Sequence, residues 1–234
     1  MTYRVFTFVA LALVGAATSA AAPANDVEER RVTRVLYTCV AAKHPQLASD
    51  FVLRKGTSGR RAQGSLFENS CVDKSNGKLV ANLQMKPDHL RFGLADALIA
   101  REFSTAVPAG IANAAPLKHV DVTFDEIEFV RGQIYKNGGP KALERARAEA
   151  ASRNFMARFG ECVVRRGPDA ARRFLLTSPT STDETAALAG VRPHMATCLG
   201  EGNKVGMNLY SLRGALAINF YRLAHAAQAA PETH

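Results

Sequence analysis

The sequence predicts an all-α protein built from two tandem helical units of similar structure, each stapled by one disulfide. Three observations predict it. Apolar residues recur at three- and four-residue steps along most of the chain, the spacing of an amphipathic helix face. Strand-type alternation is nearly absent. Finally, Val32 to Leu53 aligns without a gap on Phe155 to Leu176, the kind of self-similarity that marks a repeated structural unit.

The repeat is carried by particular residues. Val32 falls on Phe155, Leu36 on Phe159, Cys39 on Cys162, Pro45 on Pro168, Phe51 on Phe174 and Leu53 on Leu176. Downstream the register drifts slightly, as loops allow. Cys71 then pairs with Cys198, Asn82-Leu83 with Asn208-Leu209, and Leu90-Arg91 with Leu212-Arg213. Each unit therefore owns one cysteine pair, so the expected bridges are Cys39–Cys71 and Cys162–Cys198. Each closes a loop of roughly 35 residues, worth roughly 3–4 kcal/mol in the chain-entropy argument. No close Cys-x-x-Cys pair occurs, so a zinc site is not the reading of these four residues.

Within each unit the elements follow in order. The first helix is expected from about Asp26 to Lys43, with Val32, Val35, Leu36, Cys39 and Val40 on one face. Pro45 opens a short helix to Leu53, since proline suits a first helical turn. Arg54 to Gly64 is polar and Gly-rich and reads as a mobile loop. Lys78 to Met85 reads as a short extended segment, as does its counterpart near Lys204. Asp88 is expected to cap a closing helix that buries Leu90, Leu94 and Leu98.

Ser104 to Val122, rich in Ala and Pro, reads as a linker. Thr123-Phe-Asp-Glu126 has the pattern of a capping box, opening a helix expected to stop at Asn137-Gly-Gly-Pro140. The second unit then repeats the first. One helix is expected from Pro140 to Arg166, and a short one from Pro168 to Leu176. A third is capped by Ser181-Thr-Asp-Glu184 and ends near Cys198. A closing helix is capped by Ser211 and buries Leu212, Leu216, Phe220 and Leu223.

The N-terminus predicts export. Met1 to Arg4 carries one positive charge, Val5 to Val14 is apolar apart from Thr7, and Gly15 to Ala22 is a run of small residues. This is the order of a secretory signal peptide, cleaved after Ala20 or Ala21 because Pro23 disfavours a cut just before it. An apolar core of about 10 residues is too short to span the membrane. The expected organisation is residues 1–21 as signal peptide, 22–118 as the first unit with its linker, and 119–234 as the second unit. No transmembrane segment is expected in the mature chain. An oxidising compartment, the periplasm or the exterior of a Gram-negative cell, agrees with four paired cysteines.

Function is much less legible. The chain carries a net charge of +9 and no Trp, which points towards anionic partners and away from aromatic sugar or base-stacking platforms. Nucleic acid fits the charge but not the export signal. None of the six histidines stands in a His-Glu-x-x-His pattern, and there is no phosphate-binding or dinucleotide loop. Ser58 is not in a nucleophile elbow, because Arg60 breaks Gly-x-Ser-x-Gly. The acidic run Asp121, Asp125, Glu126 and Glu128 reads as solvated charge at a helix start. No catalytic residue, metal or cofactor is assigned.

Arg91 and Arg213 stand slightly above this background. Both lie near the start of a closing helix, where a cation opposes the helix dipole, so another interaction should hold each there. That interaction is either an internal ion pair or carbonyl contact, or an anion site. The pair Arg165-Arg166 is the other candidate for anion binding. The expected partner is an anionic envelope surface or another periplasmic protein, with oligomeric state left open. The first functional reading is a non-enzymatic periplasmic or secreted binding or envelope-associated protein. The second is a periplasmic hydrolase whose site assembles only in three dimensions.

The second unit carries Gly160-Glu-Cys-Val-Val-Arg165, Phe174-Leu-Leu, Cys198-Leu, Leu212-Arg-Gly-Ala-Leu216-Ala and Tyr221-Arg222. In these residues it resembles a group of small, mostly uncharacterised exported proteins of alphaproteobacteria with a duplicated Cys-containing helical unit. The resemblance covers most of the mature chain on sparse positions. It implies a periplasmic setting and brings no reaction and no catalytic residues.

Overall fold

A computed structural model describes residues 24–54, 66, 69–74, 87–122, 128–199 and 207–229. Among them the secondary structure is helical, without strands. The helices are α1 (Ala24–Lys43), α2 (Pro45–Leu53), α3 (Asn69–Lys74), α4 (Pro87–Glu102), α5 (Glu128–Arg166), α6 (Pro168–Leu176), α7 (Thr182–Leu199) and α8 (Leu209–Ala229). Residues 103–122 form a strap between α4 and α5, with a single 3-10 turn at Ile111–Asn113.

The apolar periodicity does what the sequence predicts. Val32, Leu36 and Val40 of α1 are buried one turn apart, whereas Val35, expected on the same face, is exposed; residues four apart share the stripe that meets the core. Pro45 and Pro168 both occupy the first turn of their helices. The bridges are Cys39–Cys71, tying α1 to α3, and Cys162–Cys198, tying α5 to α7.

Four local readings change. Asp88 is inside the first turn of α4 and does not precede it. The cap of α8 is Asn208, three residues before Ser211, and its Oδ1 accepts from the Ser211 N–H at 2.7 Å, which satisfies an orphan donor of the first turn. At α7 the Ser181 Oγ accepts from the Glu184 N–H at 3.1 Å, as read. The Glu184 carboxylate, however, accepts from the Thr180 N–H at 2.7 Å and from two arginines, so the box is only half made. Lastly, α5 does not stop at Asn137-Gly138-Gly139-Pro140, where the backbone stays helical. Glycine costs a helix roughly 1 kcal/mol and proline roughly 3, penalties that a long helix can absorb. Pro193 lies inside α7 in the same way. The expected cap at Thr123–Glu126, the loop after Arg54 and the two extended segments lie outside the described residues.

The core is shared by both halves of the chain. Leu36, Leu94, Leu98, Phe174, Leu216 and Phe220 belong to one continuous buried cluster. Its centre is the contact between α4 and α8, the most extensive between any two helices. Glycine makes that approach possible. A Cβ on Gly214 would fall 2.3 Å from the Phe92 ring, well inside contact distance.

Candidate functional site

The strap is not a free linker. Phe103, Ile111 and Ala114 are buried, and side chains of α5 grip its backbone. Arg165 donates to the carbonyls of Ala112 at 3.1 Å, Ala114 at 2.6 Å and Ala115 at 2.8 Å. Its Nε also donates to Glu161 at 2.8 Å. Glu161 in turn accepts from the Leu117 N–H at 3.0 Å and meets His119 Nε2 at 2.5 Å. Asn154 closes a two-bond clasp on Val122, at 2.8 and 3.1 Å. Arg222 of α8 donates to the Lys118 carbonyl at 2.7 Å.

Held this way, the strap walls a cleft of about 440 Å³ against α4, α5 and α8. That volume falls in the range of small-molecule sites. The apolar part of the wall is Leu53, Phe92, Val120, Val122, Met156 and Ile218. The charged part is Arg54, Arg91, Lys118, Arg153 and Arg222 against Asp88 and Glu149.

The charges are unevenly matched. Arg153 pairs with Asp88 at 3.2 Å and with Glu149 at 3.7 Å, so both carboxylates of the cleft serve one arginine. Among the described residues no carboxylate forms an ion pair with Arg54, Arg91, Lys118 or Arg222. Arg91 donates to the Val52 carbonyl at 2.8 Å, while its buried Nε has no acceptor. Burial, and then the positive charge of Arg54 and Arg222, pull the Arg91 guanidinium down to about 10 against the pull of Asp88; it remains cationic at neutral pH. Arg222 is lowered for the same reasons, burial first and Arg54 next, with Glu161 opposing. Three guanidiniums thus sense one another across one wall. Arg54 also sits in the left-handed region, φ 56° and ψ 39°, uncommon for a residue with a Cβ.

One wall residue leaves an acceptor unused. Asn219 donates through Nδ2 to the carbonyls of Ala157 at 3.0 Å and Ala215 at 2.8 Å. Two carbonyls fix the amide orientation, so the buried Oδ1 is the atom without a donor.

The structure separates the four arginines singled out from sequence. Arg91 lines the cleft. Arg213 is buried elsewhere, its Nε and Nη2 on Asp96 at 3.1 and 3.2 Å and its Nη1 on Glu184 at 3.0 Å. Arg165 is spent on the strap. Arg166 is exposed at the end of α5. Arg54 and Arg222 were missed: Arg54 reads as the start of a polar loop, and nothing in the spacing of α8 marks Arg222.

Glu161 gives the strap a pH dependence. Burial works against its charge, but the Leu117 N–H, His119 and Arg165 outweigh it, and the carboxyl is held below its ordinary value. A lowered acid contributes stability above its unfolded value, about 4.3, that is lost as pH falls through the folded one. Hydrogen exchange of residues 111–122, corrected for intrinsic rates, is expected to accelerate relative to α8 as pH falls below about 4.3. Constant relative protection over that range would remove the latch.

Compared with known proteins, the chain matches no family model, no curated protein and no solved structure. Among the described residues no helix is long and apolar enough to cross a membrane, and no group of three His, Cys, Asp or Glu is placed to hold a metal.

Proposed function

We propose that this chain is a non-enzymatic, extracytoplasmic binding protein that holds a small anionic ligand in the cleft between α4, α5, α8 and the strap. One observation carries the reading: Arg54, Arg91 and Arg222 line one cleft without a carboxylate partner among the described residues, while Asp88 and Glu149 of that cleft both pair with Arg153. Like charges gathered in a partly dry site repel, and an anion relieves that repulsion. Guanidinium is the side chain best suited to hold one.

The test uses probes of plain chemistry. Phosphate, sulfate and benzoate at millimolar concentration, set against sodium chloride of equal ionic strength, are expected to raise the melting temperature through preferential binding to the folded state. Arg54→Asn should cut that shift several-fold. Asparagine tolerates the left-handed backbone, so the variant removes charge without adding strain. A melting temperature indifferent to all three anions would reject the reading.

Export is supported by the signal-like N-terminus and is compatible with the two bridges. Intact-mass measurement of material recovered from the periplasm is expected to place the first residue at Ala21 or Ala22. A chain still beginning at Met1 would sink this part of the proposal.

A duplicated origin is also supported by paired contacts. Arg91 donates to the Val52 carbonyl and Arg213 to the Leu175 carbonyl, residues that correspond in the repeat alignment. Tyr37 and Gly93 meet in the first half. In the second, Gly160 and Ala215 hold the corresponding places and meet in turn, with the bulk moved off one helix and the gap closed by the other.

The hydrolase reading draws on one feature, His119 set against Glu161 on the wall of the same cleft. A nucleophile within hydrogen-bond reach of the histidine is the next requirement. Among the described residues neither Ser152 nor Ser211 supplies it. Hydrolysis of p-nitrophenyl phosphate or acetate that His119→Ala abolishes would favour this reading over simple binding.

A further inference from the structure

Resting on the reading of the cleft as an anion site, we infer that its ligand is a phosphate monoester bearing a small apolar or aromatic substituent. Two observations choose this class, one from each part of the wall.

The first is charge. The guanidiniums of Arg54, Arg91 and Arg222 share one wall, and among the described residues none has a carboxylate partner. A carboxylate ligand brings one negative charge. A phosphate monoester brings about 1.5 to 2 at neutral pH, with three acceptor oxygens. Arg91 and Arg222 each spend one nitrogen on a backbone carbonyl, and the second ligand brings more charge and more lone pairs to the donors that remain.

The second is the rest of the wall. Phe92, Val122, Met156 and Ile218 line the same cleft of about 440 Å³. Inorganic phosphate would fill a small part of it and leave that surface wet. A phenyl or short alkyl group on the phosphate covers apolar area at roughly 25 cal/mol per Å². The cleft is too small for a two-chain lipid, so the ester is a small molecule taken from solution.

The experiment is calorimetric titration of the mature protein at pH 7.5 with phenyl phosphate, inorganic phosphate, benzoate and benzyl alcohol. Phenyl phosphate is expected to bind about tenfold or more tightly than each of the others, one decade per 1.4 kcal/mol of added contact. Arg54→Asn should weaken phenyl phosphate and inorganic phosphate alike. Ile218→Ser, checked for folding by circular dichroism, should weaken phenyl phosphate and leave inorganic phosphate unchanged. Below about pH 6, where the monoester dianion takes up a proton and becomes a monoanion, affinity should fall towards that of benzoate. Benzoate or inorganic phosphate binding as tightly as phenyl phosphate would overturn the ester while leaving the anion cleft in place. Phenyl phosphate affinity indifferent to both variants would overturn it as well, by placing the ligand elsewhere. Failure of every anion to bind would overturn the cleft itself.

Discussion

Replacing Glu184 with alanine is expected to lower the unfolding free energy by about 3–5 kcal/mol, the range for removing one partner from a buried ion pair. The Glu184 side chain is 1% exposed and answers two arginines, Arg30 at 2.9 Å and Arg213 at 3.0 Å. It also accepts from the Thr180 N–H at 2.7 Å. Asp96 completes the cluster, paired with Arg34 at 3.0 Å and Arg213 at 2.9 Å. Three guanidiniums therefore share two carboxylates in a site largely closed to water. Without Glu184 the cluster gains an uncompensated buried charge and Thr180 loses its acceptor. Glu184→Gln keeps an acceptor for both the amide and one guanidinium, so it should cost distinctly less. Urea denaturation followed by far-UV circular dichroism reads both variants. A loss below about 1 kcal/mol for the alanine variant would mean that water enters the cluster and screens it, as at exposed pairs.

The second large effect is expected from the double variant Cys162→Ser, Cys198→Ser. The bridge closes 36 residues of chain and ties α5 to α7. Its removal frees the unfolded chain and should cost about 3–4 kcal/mol. Changing both cysteines avoids leaving a reactive thiol. The urea midpoint should drop and the slope should rise somewhat, because the unfolded chain exposes more surface once the bridge is gone. An unchanged midpoint would show that α7 is held by packing alone. Cys39–Cys71, closing 32 residues, should behave in the same direction.

Much of the scaffold could be read before any coordinates. Pattern and punctuation are local signals, so the faces of α1 and α8 and the starts at Pro45 and Pro168 were all legible. The bridges were legible for a less local reason: aligning the two halves of the sequence put the cysteines in the same order twice and reduced three pairings to one. The cleft was not legible, because its wall comes from stretches far apart in the chain. Arg54, Arg91, Lys118, Arg153 and Arg222 share no motif or spacing, and only the packing of α4 on α8 and the strap on α5 makes them neighbours. Arg91 and Arg213 look alike in sequence yet have different surroundings. Asp96 and Glu184 lie beside Arg213, and among the described residues no carboxylate pairs with Arg91. Opposition to the helix dipole correctly marked both as needing a partner; it carried no information about where the partner would come from. The continuation of α5 through Gly138-Gly139-Pro140 was misread because breaker residues raise the cost of a helix without setting what the rest of the helix gains.

The ion cluster also has a consequence for the order of assembly. Its members are delivered by α1, α4, α7 and α8, so they enter the chain at widely separated times. When the N-terminal half has formed, Arg30 still lacks Glu184, and Asp96 has Arg34 but not the two-pronged grip of Arg213. An interior with that imbalance cannot close over dry charge. Final compaction is therefore expected to wait for the last helix, so a chain that emerges N-terminus first stays loosely folded until α8 has followed.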